Sequence, residues 1–150
     1  MQITSPSFAD GGEIPRRHSL DGENNSPPLL ISDVPAGTET LALIVEDIDS
    51  PVGVFTHWVV WNISPEVTEI AENSAPAGSE VGLNGFGWAR YDGPAPPSGR
   101  HRYRFRLFAL DTTLEASSPD RKDHVLEEMN GAIIAEAELL GRYAASDGDR

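Results

Sequence analysis

The stretch from His101 to Leu110 constrains the fold most, because its side chains alternate in character. Successive side chains of a strand point to opposite faces, so this alternation predicts a strand with one apolar and one charged face. His101 and Tyr103 begin the apolar face, and the Gly- and Pro-rich segment 91–100 precedes them as a loop. The apolar face carries His101, Tyr103, Phe105, Leu107 and Ala109, and the charged face carries Arg102, Arg104 and Arg106.

Two further segments predict strong strands. Glu39 to Asp47 is an apolar run that ends in acidic residues, as expected for a strand buried on both faces. Val54 to Ile63 is rich in β-branched and aromatic residues. Period-2 alternation places His57, Val59 and Trp61 on one face of this second strand, and Trp58, Val60 and Asn62 on the other.

The remaining elements complete a mainly β chain. Residues 2–8 and 29–31 are weaker strand candidates, and 133–143 fits a closing strand. Ser118-Pro119 precedes a helical pattern over 120–130, which predicts a short helix near the C-terminus. Because helices do not alternate with the strands, we predict one antiparallel β-sandwich domain over residues 1–150, with one or two short peripheral helices.

The acidic composition limits the partners. The net charge is −13, and the cations are ten arginines and one lysine, Lys122. This charge argues against nucleic acid and anionic membranes as partners, and a lysine-poor acidic surface suits a salty cytoplasm. We interpret the composition as halophilic. Cysteine is absent, no apolar run reaches the roughly 20 residues of a membrane span, and the N-terminus does not resemble a signal peptide, so we expect a cytoplasmic protein.

Half of the arginines lie between residues 84 and 108, where Asp92 is the single acid. Such a concentration could serve an anion. The simpler interpretation is that Arg102, Arg104 and Arg106 pair with acids of neighbouring strands, since they face away from His101.

Several polar residues lie at the ends of the apolar strand faces. If these strands are neighbours in the sheet, the polar side chains lie close together. They are Asp47, Asp49, His57, His101 and Tyr103. A transition-metal site and a hydrolytic triad through Ser98 are two interpretations, although no HxH, HExxH or G-x-S-x-G motif is present. We favour an anion site without metal or cofactor, in which imidazole and phenol groups donate hydrogen bonds and Asp47 orients a histidine.

Two long motifs then resemble the phosphatidylethanolamine-binding protein family, also called the Raf kinase inhibitor protein-like family. EDIDSPVGVFTHWVVWNI is similar to the first signature of the family, and GPAPPSGRHRYRFRLFALD is similar to the second. The C-terminal EEMNGAIIAEAELLGRY resembles the bacterial and archaeal branch, which together with the composition suggests a haloarchaeal source.

The resemblance implies a large central sheet, a smaller sheet and a pocket for phosphate or phosphorylated groups. When the family's functional positions are carried over to the matching motifs, Asp49 and Pro51 shape the loop that follows the strand ending at Asp47. The ligand-binding residues are then Asp47, His57, Gly93, Pro94, Ala95, His101 and Tyr103. Ile48 departs from the Pro between the two family Asp residues, which predicts a looser loop. Ala95 also departs, standing where prokaryotic members often have Cys.

The resemblance also implies a non-enzymatic binding or regulatory protein. One alternative is an inhibitor of a protease or kinase acting through an exposed loop within residues 64–90, and another is an uncharacterised hydrolase using the Asp and His side chains. The expected partners are a small anionic ligand, a protein target such as a kinase or protease, and a second copy of the chain in a homodimer.

Overall fold

The computed structural model describes residues 1–145, and four long strands form its centre. They are β4 (Thr40–Asp47), β5 (Phe55–Ile63), β8 (Arg100–Leu110) and β9 (Ile133–Ala144). All eight residues of β4 are buried, because β4 lies between β8 and β5 and both faces of its sheet are covered. The apolar run at 39–47 is therefore the strand that the sequence predicts, buried on both faces.

The described residues form two sheets, as expected. Besides the four long strands, the shorter strands are β1 (Gln2–Thr4), β2 (Gly12–Glu13), β3 (Leu29–Ser32), β6 (Glu69–Ile70) and β7 (Glu80–Val81). The large sheet has the order β2-β9-β8-β4-β5-β7, and the small sheet has the order β1-β3-β6. All strand pairs are antiparallel except the short pair between β2 and β9.

The helical content is small. The helix α1 (Lys122–Met129) confirms the pattern at 120–130, and a single 3-10 turn covers Arg16–His18. The first strand is shorter than the predicted 2–8, because Pro6 and the segment after it leave the sheet, although Phe8 stays buried. The long connections 9–28 and 64–90 contain β2, β6 and β7, two-residue strands too short to produce a recognisable pattern.

Two apolar cores lie on opposite faces of the large sheet. The first core is between the two sheets and contains Ile3, Leu29 and Ile70 from the small sheet and Phe105 from the large one. The second lies between the large sheet and α1 with the segment 111–118. Trp61 fills the second core, and its indole N–H donates to the carbonyl of Ala116 at 2.9 Å.

A β-bulge in β5 changes the direction of His57. Val45 pairs with Trp58, but the next residue of β4, Glu46, pairs with Thr56, so His57 is an extra residue in its strand. Such a bulge re-aims side chains next to it. His57 and Trp58 therefore both lie on the inter-sheet side, whereas Val59 lies in the second core. The predicted sharing of one face by His57, Val59 and Trp61 is wrong for this reason.

The charged face of β8 confirms the simpler interpretation of its arginines. The carboxylate of Glu46, with 3% of the residue exposed, accepts from Arg104 at 2.9 Å, Arg106 at 3.3 Å and Lys122 at 3.1 Å. Burial alone would raise the pKa of Glu46, but the hydrogen bonds from Arg104 and Lys122 outweigh it and lower the pKa. Since Lys122 begins α1, this cluster also fastens the helix to the sheet.

We predict that Glu46→Gln lowers the free energy of unfolding by about 3 kcal/mol, because it removes the shared carboxylate of three partly buried cations. Urea denaturation monitored by tryptophan fluorescence measures the change. The matched control is Glu138→Gln, which removes a half-exposed carboxylate 3.5 Å from Arg104 and should change stability by less than about 1 kcal/mol. Equal effects of the two substitutions would contradict the role given to Glu46.

Candidate active-site cavity for a small ligand

A cavity of about 220 Å³ lies at the end of the large sheet, where β4, β5 and β8 meet two loops. Its walls are mostly apolar, with two imidazoles and one carboxylate among them. This composition, apolar surface with a few converging polar groups, is typical of ligand sites. The lining residues are Asp47, Ser50, Pro51, Val52, Phe55, His57, Phe86, Ala95, Pro97 and His101.

Wider clefts of about 420 and 450 Å³ lie elsewhere on the surface, one beside Glu23 and Arg90 and the other beside Thr112 and Glu128. Neither brings together buried titratable side chains from several strands. The smaller cavity does so, and we take it as the candidate site on that ground.

Asp47 and His101 form a buried pair across neighbouring strands. The carboxylate Oδ2 of Asp47 lies 2.7 Å from Nδ1 of His101, and its Oδ1 accepts from the amide of Asp49 at 2.8 Å. Both carboxylate oxygens are thus engaged. With Asp47 ionised, Nδ1 of His101 carries the proton and Nε2 is left for the cavity. The predicted orienting role of Asp47 agrees with this geometry.

His57 is fixed by the backbone of the loop before β8. Its Nδ1 lies 2.6 Å from the carbonyl oxygen of Asp92, and because a carbonyl can only accept, Nδ1 carries the proton. Burial lowers the pKa of His57, and the Asp92 carbonyl and the Asp47 carboxylate offset this only in part. The ring therefore favours its neutral form. Edge-to-face contacts with Phe55 and Phe86 hold it on the other sides.

Tyr103 lies beneath the two imidazoles rather than in the cavity wall. Its ring centroid is 5.3 Å from that of His57 and 6.5 Å from that of His101. The residue is 1% exposed, and its hydroxyl lies near the Asp47 carboxylate but makes no hydrogen bond of good geometry within residues 1–145. Burial, and then the nearby Asp47 carboxylate, raise the pKa of Tyr103, so the hydroxyl stays protonated and can donate. A buried unpaired donor beside a cavity is costly unless a ligand or water accepts from it.

The structure brings together most of the predicted site residues, but not all of them. Asp47, His57, Ala95 and His101 line the cavity. Gly93 and Pro94 are not among the lining residues.

Gly93 and Pro94 contribute to the site through their backbones. The amide of Gly93 donates to Asn24 at 2.7 Å, and the carbonyl of Pro94 accepts from Leu20 at 3.0 Å. A side chain at Gly93 would collide with the carbonyl of His18, so glycine is needed there for close packing. These two residues connect the loop after Asp92 to the segment 18–25.

The two residues predicted to shape the first loop have different roles. Pro51 lines the cavity, whereas Asp49 turns outward and binds Arg102 through Nε at 2.9 Å and Nη2 at 2.8 Å. The hydrogen bond from Arg102 lowers the pKa of Asp49 to about 2. Ile48 donates its amide to the carbonyl of Arg102 at 3.1 Å, a bond that proline could not make. This hydrogen bond ties the loop to β8. The predicted loosening of the loop by Ile48 is therefore wrong, because the Ile48 amide adds a contact that proline would lack.

Asp92 is a site-supporting residue that the sequence does not reveal. Its carboxylate is buried and accepts from Asn24 and Asn84 at 2.8 Å and from Arg90 at 3.1 Å. The same residue offers its carbonyl to His57. The sequence around Asp92 contains no recognisable chemical motif, and two of its hydrogen-bond partners, Asn24 and Asn84, come from other segments of the chain.

Neither of the two aromatic residues in the cavity wall was predicted from the sequence. Phe55 could have been inferred, because it lies two residues before His57 and so shares its face of the strand. Phe86 could not, because it lies in an irregular loop without periodicity. Their rings pack edge to face at 4.9 Å.

The arginine concentration between residues 84 and 108 does not serve the cavity. Each of its five members pairs with an acid: Arg90 with Asp92, Arg100 with Glu13, Arg102 with Asp49, and Arg104 and Arg106 with Glu46. Among residues 1–145, no three His, Asp or Glu side chains are grouped so that they could hold a metal ion.

The two-sheet sandwich and the cavity at the end of its large sheet define a class of β-sandwich proteins with a small cavity between strand ends and loops. The sequence profile described as phosphatidylethanolamine-binding protein matches residues 4–144. The chain belongs to the phosphatidylethanolamine-binding protein family, which confirms the resemblance of its two motifs.

Relatives match nearly the full length. A UPF0098 protein of Methanothermobacter thermautotrophicus is 47% identical over 148 residues, covering 95% of this chain and 98% of the relative. A crystal structure described as a putative phosphatidylethanolamine-binding protein homologue from Chlamydia trachomatis has a TM-score of 0.91 and 42% identity, covering 97% of both chains. YBCL of E. coli, described as a new member of the mammalian PEBP family, has a TM-score of 0.90 and 32% identity, covering 97% of this chain and 98% of its own.

The single helix α1 is short, and no helix within residues 1–145 is long and apolar enough to cross a membrane.

Two neutral histidines make the fold sensitive to acid. His18 is fully buried, donates from Nδ1 to the carbonyl of Asn25 at 2.9 Å and accepts at Nε2 from Ser7 at 3.1 Å. Burial lowers the pKa of His18 as it does that of His57. Below the ordinary value of 6.5, the unfolded chain therefore binds protons that the folded chain does not.

We predict that the contribution of these two histidines to the free energy of unfolding is constant above about pH 6.5 and falls below it, by at most about 1.4 kcal/mol per pH unit for each of them. Chemical denaturation between pH 7.5 and 5.5 measures this slope. His57→Gln should reduce the slope. In the exposed His124, the hydrogen bond that the ring donates to the Asp120 carboxylate raises the pKa, so His124→Gln should make the slope steeper. A wild-type curve that is flat across this range would contradict the prediction.

Proposed function

We propose that this chain is a non-enzymatic binding protein whose cavity takes phosphate or a phosphorylated group, and that this binding serves regulation. The observation that carries the proposal is the hydroxyl of Tyr103, buried and without a partner within residues 1–145, beneath two imidazoles. A ligand oxygen would satisfy this donor. The family name points to a phosphate-containing headgroup, which has the same acceptor chemistry.

Hydrogen bonds within the protein hold the polar groups of the cavity in fixed positions. Both oxygens of Asp47 already accept hydrogen bonds, and Nδ1 of each site histidine is bonded to a fixed acceptor. The hydrogen bonds at Nδ1 fix the orientation of the two imidazole rings beside the space that a ligand would occupy. A hydrolytic role would instead require steady turnover of a phosphate ester, and loss of that turnover in His57→Ala.

We expect inorganic phosphate, titrated at pH 6.5, to shift the ring resonances of His57 and His101 in NMR spectra. His101→Ala and Tyr103→Phe should each weaken the affinity about 10- to 100-fold, since each removes a hydrogen bond to a charged group. His124→Ala is the matched control outside the cavity and should leave the affinity unchanged. If phosphate leaves the resonances of both site histidines in place, the pocket does not bind it.

A second candidate function is inhibition of a protease, and one loop supports it. The side chain of Asn84 accepts from the amides of Phe86 and Trp88 at 2.9 and 3.2 Å and donates to Asp92 at 2.8 Å, which makes the loop 84–92 rigid. Phe86 and Trp88 are 45% and 57% exposed at its tip. Rigid loops with protruding side chains suit a protease cleft, because little order is lost on binding.

Chymotrypsin is the appropriate probe for this loop, since its specificity pocket takes large apolar side chains. If the loop inhibits, Trp88→Ala with Phe86→Ala should weaken inhibition of chymotrypsin at least tenfold, whereas His101→Ala should leave it unchanged. The reverse pattern would assign inhibition to the cavity. Wild-type protein that does not inhibit chymotrypsin would reject this role for the loop.

A further inference from the structure

Within residues 1–145, no Lys or Arg lines the cavity to meet an anionic ligand. All five arginines between residues 84 and 108 are paired with acids, as described above. The charge in the cavity wall is the Asp47 carboxylate, balanced only when His101 is protonated. A fully ionised ligand would therefore place its charge near a carboxylate in an environment shielded from water, which is strongly unfavourable.

The two imidazoles share one orientation of their protons. Nδ1 of His57 donates to the Asp92 carbonyl, and Nδ1 of His101 donates to the Asp47 carboxylate. In each neutral ring the second nitrogen, Nε2, is then a hydrogen-bond acceptor. Both rings line the cavity, so we take Nε2 of each as the nitrogen open to a ligand, with the backbone of Gly93 also close to the His57 ring. The cavity wall thus offers two acceptors from its histidines and a hydroxyl from Ser50, and the donor hydroxyl of Tyr103 lies buried beneath the two imidazoles.

The orientation of His57 is protected by a buried cluster. Asn24, Asn84 and Arg90 hold the Asp92 carboxylate, and the amide of Asp92 also donates to the carbonyl of His57 at 3.2 Å. Turning the His57 ring or moving its proton would leave the Asp92 carbonyl without its donor. The tautomer is therefore a fixed property of the site.

We infer that the cavity selects oxyanions that carry their own proton, and that it binds inorganic phosphate or a phosphate monoester in preference to sulfate or a phosphodiester. This inference rests on the proposed phosphate pocket. A P–OH group donates to Nε2 of His57, and the remaining oxygens accept from Tyr103. One proton is taken up from solvent at Nε2 of His101, which then donates to the ligand and balances the charge of Asp47.

Every titratable group near the two rings fits this arrangement. From β4, Asp47 faces both histidines, and from β8, Tyr103 lies beneath them. Asp92 contributes its carbonyl to His57, while its carboxylate is neutralised by Arg90. Asp49 near His101 is neutralised by Arg102.

Isothermal titration at pH 7.5 with inorganic phosphate, sulfate and dimethyl phosphate tests the selectivity. Inorganic phosphate keeps a P–OH group at this pH, and the other two anions have none. We expect phosphate to bind at least tenfold more tightly than either. Dimethyl phosphate represents the phosphodiester of a lipid headgroup. Comparing its affinity with that of inorganic phosphate therefore distinguishes a lipid ligand from a free phosphate ligand. The binding heat of phosphate should also differ between buffers of different ionisation enthalpy, which reports proton uptake.

Methyl phosphate adds a pH-dependent arm. Its second pKa is about 6, so its affinity should rise as the pH falls from 7.5 to 6, while that of inorganic phosphate changes less. His57→Gln replaces a fixed acceptor with an amide that can present either its NH₂ group or its oxygen, and the preference for phosphate over sulfate should shrink to about threefold or less. His124→Gln makes the same chemical change outside the cavity and should keep the full preference.

The outcomes separate this inference from the proposed function. Equal affinity for sulfate and phosphate without proton uptake overturns the inference and leaves the phosphate pocket standing. Binding of none of the anions overturns both. If His57→Gln does not fold, long-range ¹H–¹⁵N spectra of the wild type decide: an unprotonated Nε2 in His57 at pH 7.5 supports the inference, and a protonated Nε2 overturns it.

Discussion

The arrangement of the site depends on one extra residue in β5. Without the bulge at His57, the imidazole would follow the parity of Val59 and Trp61 into the second core, away from Asp47 and His101. The bulge interrupts the regular pairing of β4 and β5 at one position, where His57 has no partner residue in β4. In return, His57 faces the cavity and Trp58 faces the first core from adjacent positions of the same strand.

The bulge is stable because contacts from another part of the chain hold the displaced ring. The carbonyl of Asp92 accepts from His57, and the Asp92 carboxylate is in turn held by Asn24 and Asn84. The segment 9–28 and the loop 84–92 therefore act together as a support for one side chain. This accounts for two long irregular connections in a compact sandwich, since each supplies buried polar contacts rather than linking strands only.

Much of the fold follows from periodicity alone. The apolar run of β4, the alternation of β8 and the helical spacing of α1 each reflect burial of a continuous face, which sequence patterns record directly. The site was partly predictable for the same reason, since Asp47 and His101 lie on regular strands, and His57 was among the candidate residues although its predicted face was wrong. The bulge, the Asp92 cluster and the wall at Phe86 were not, because they arise from irregular backbone and from contacts between distant segments.

Glu46 and Asp47 are neighbours in β4 and face opposite sides of the large sheet. One joins the sheet to α1 through Lys122, and the other orients His101 in the cavity. The contact that holds the helix on the sheet and the wall of the candidate cavity are thus separated by a single peptide unit of the central strand. In a library that aims to change what this pocket accepts, positions on the helix side of the sheet belong with those in the cavity wall, although none of them can touch a ligand.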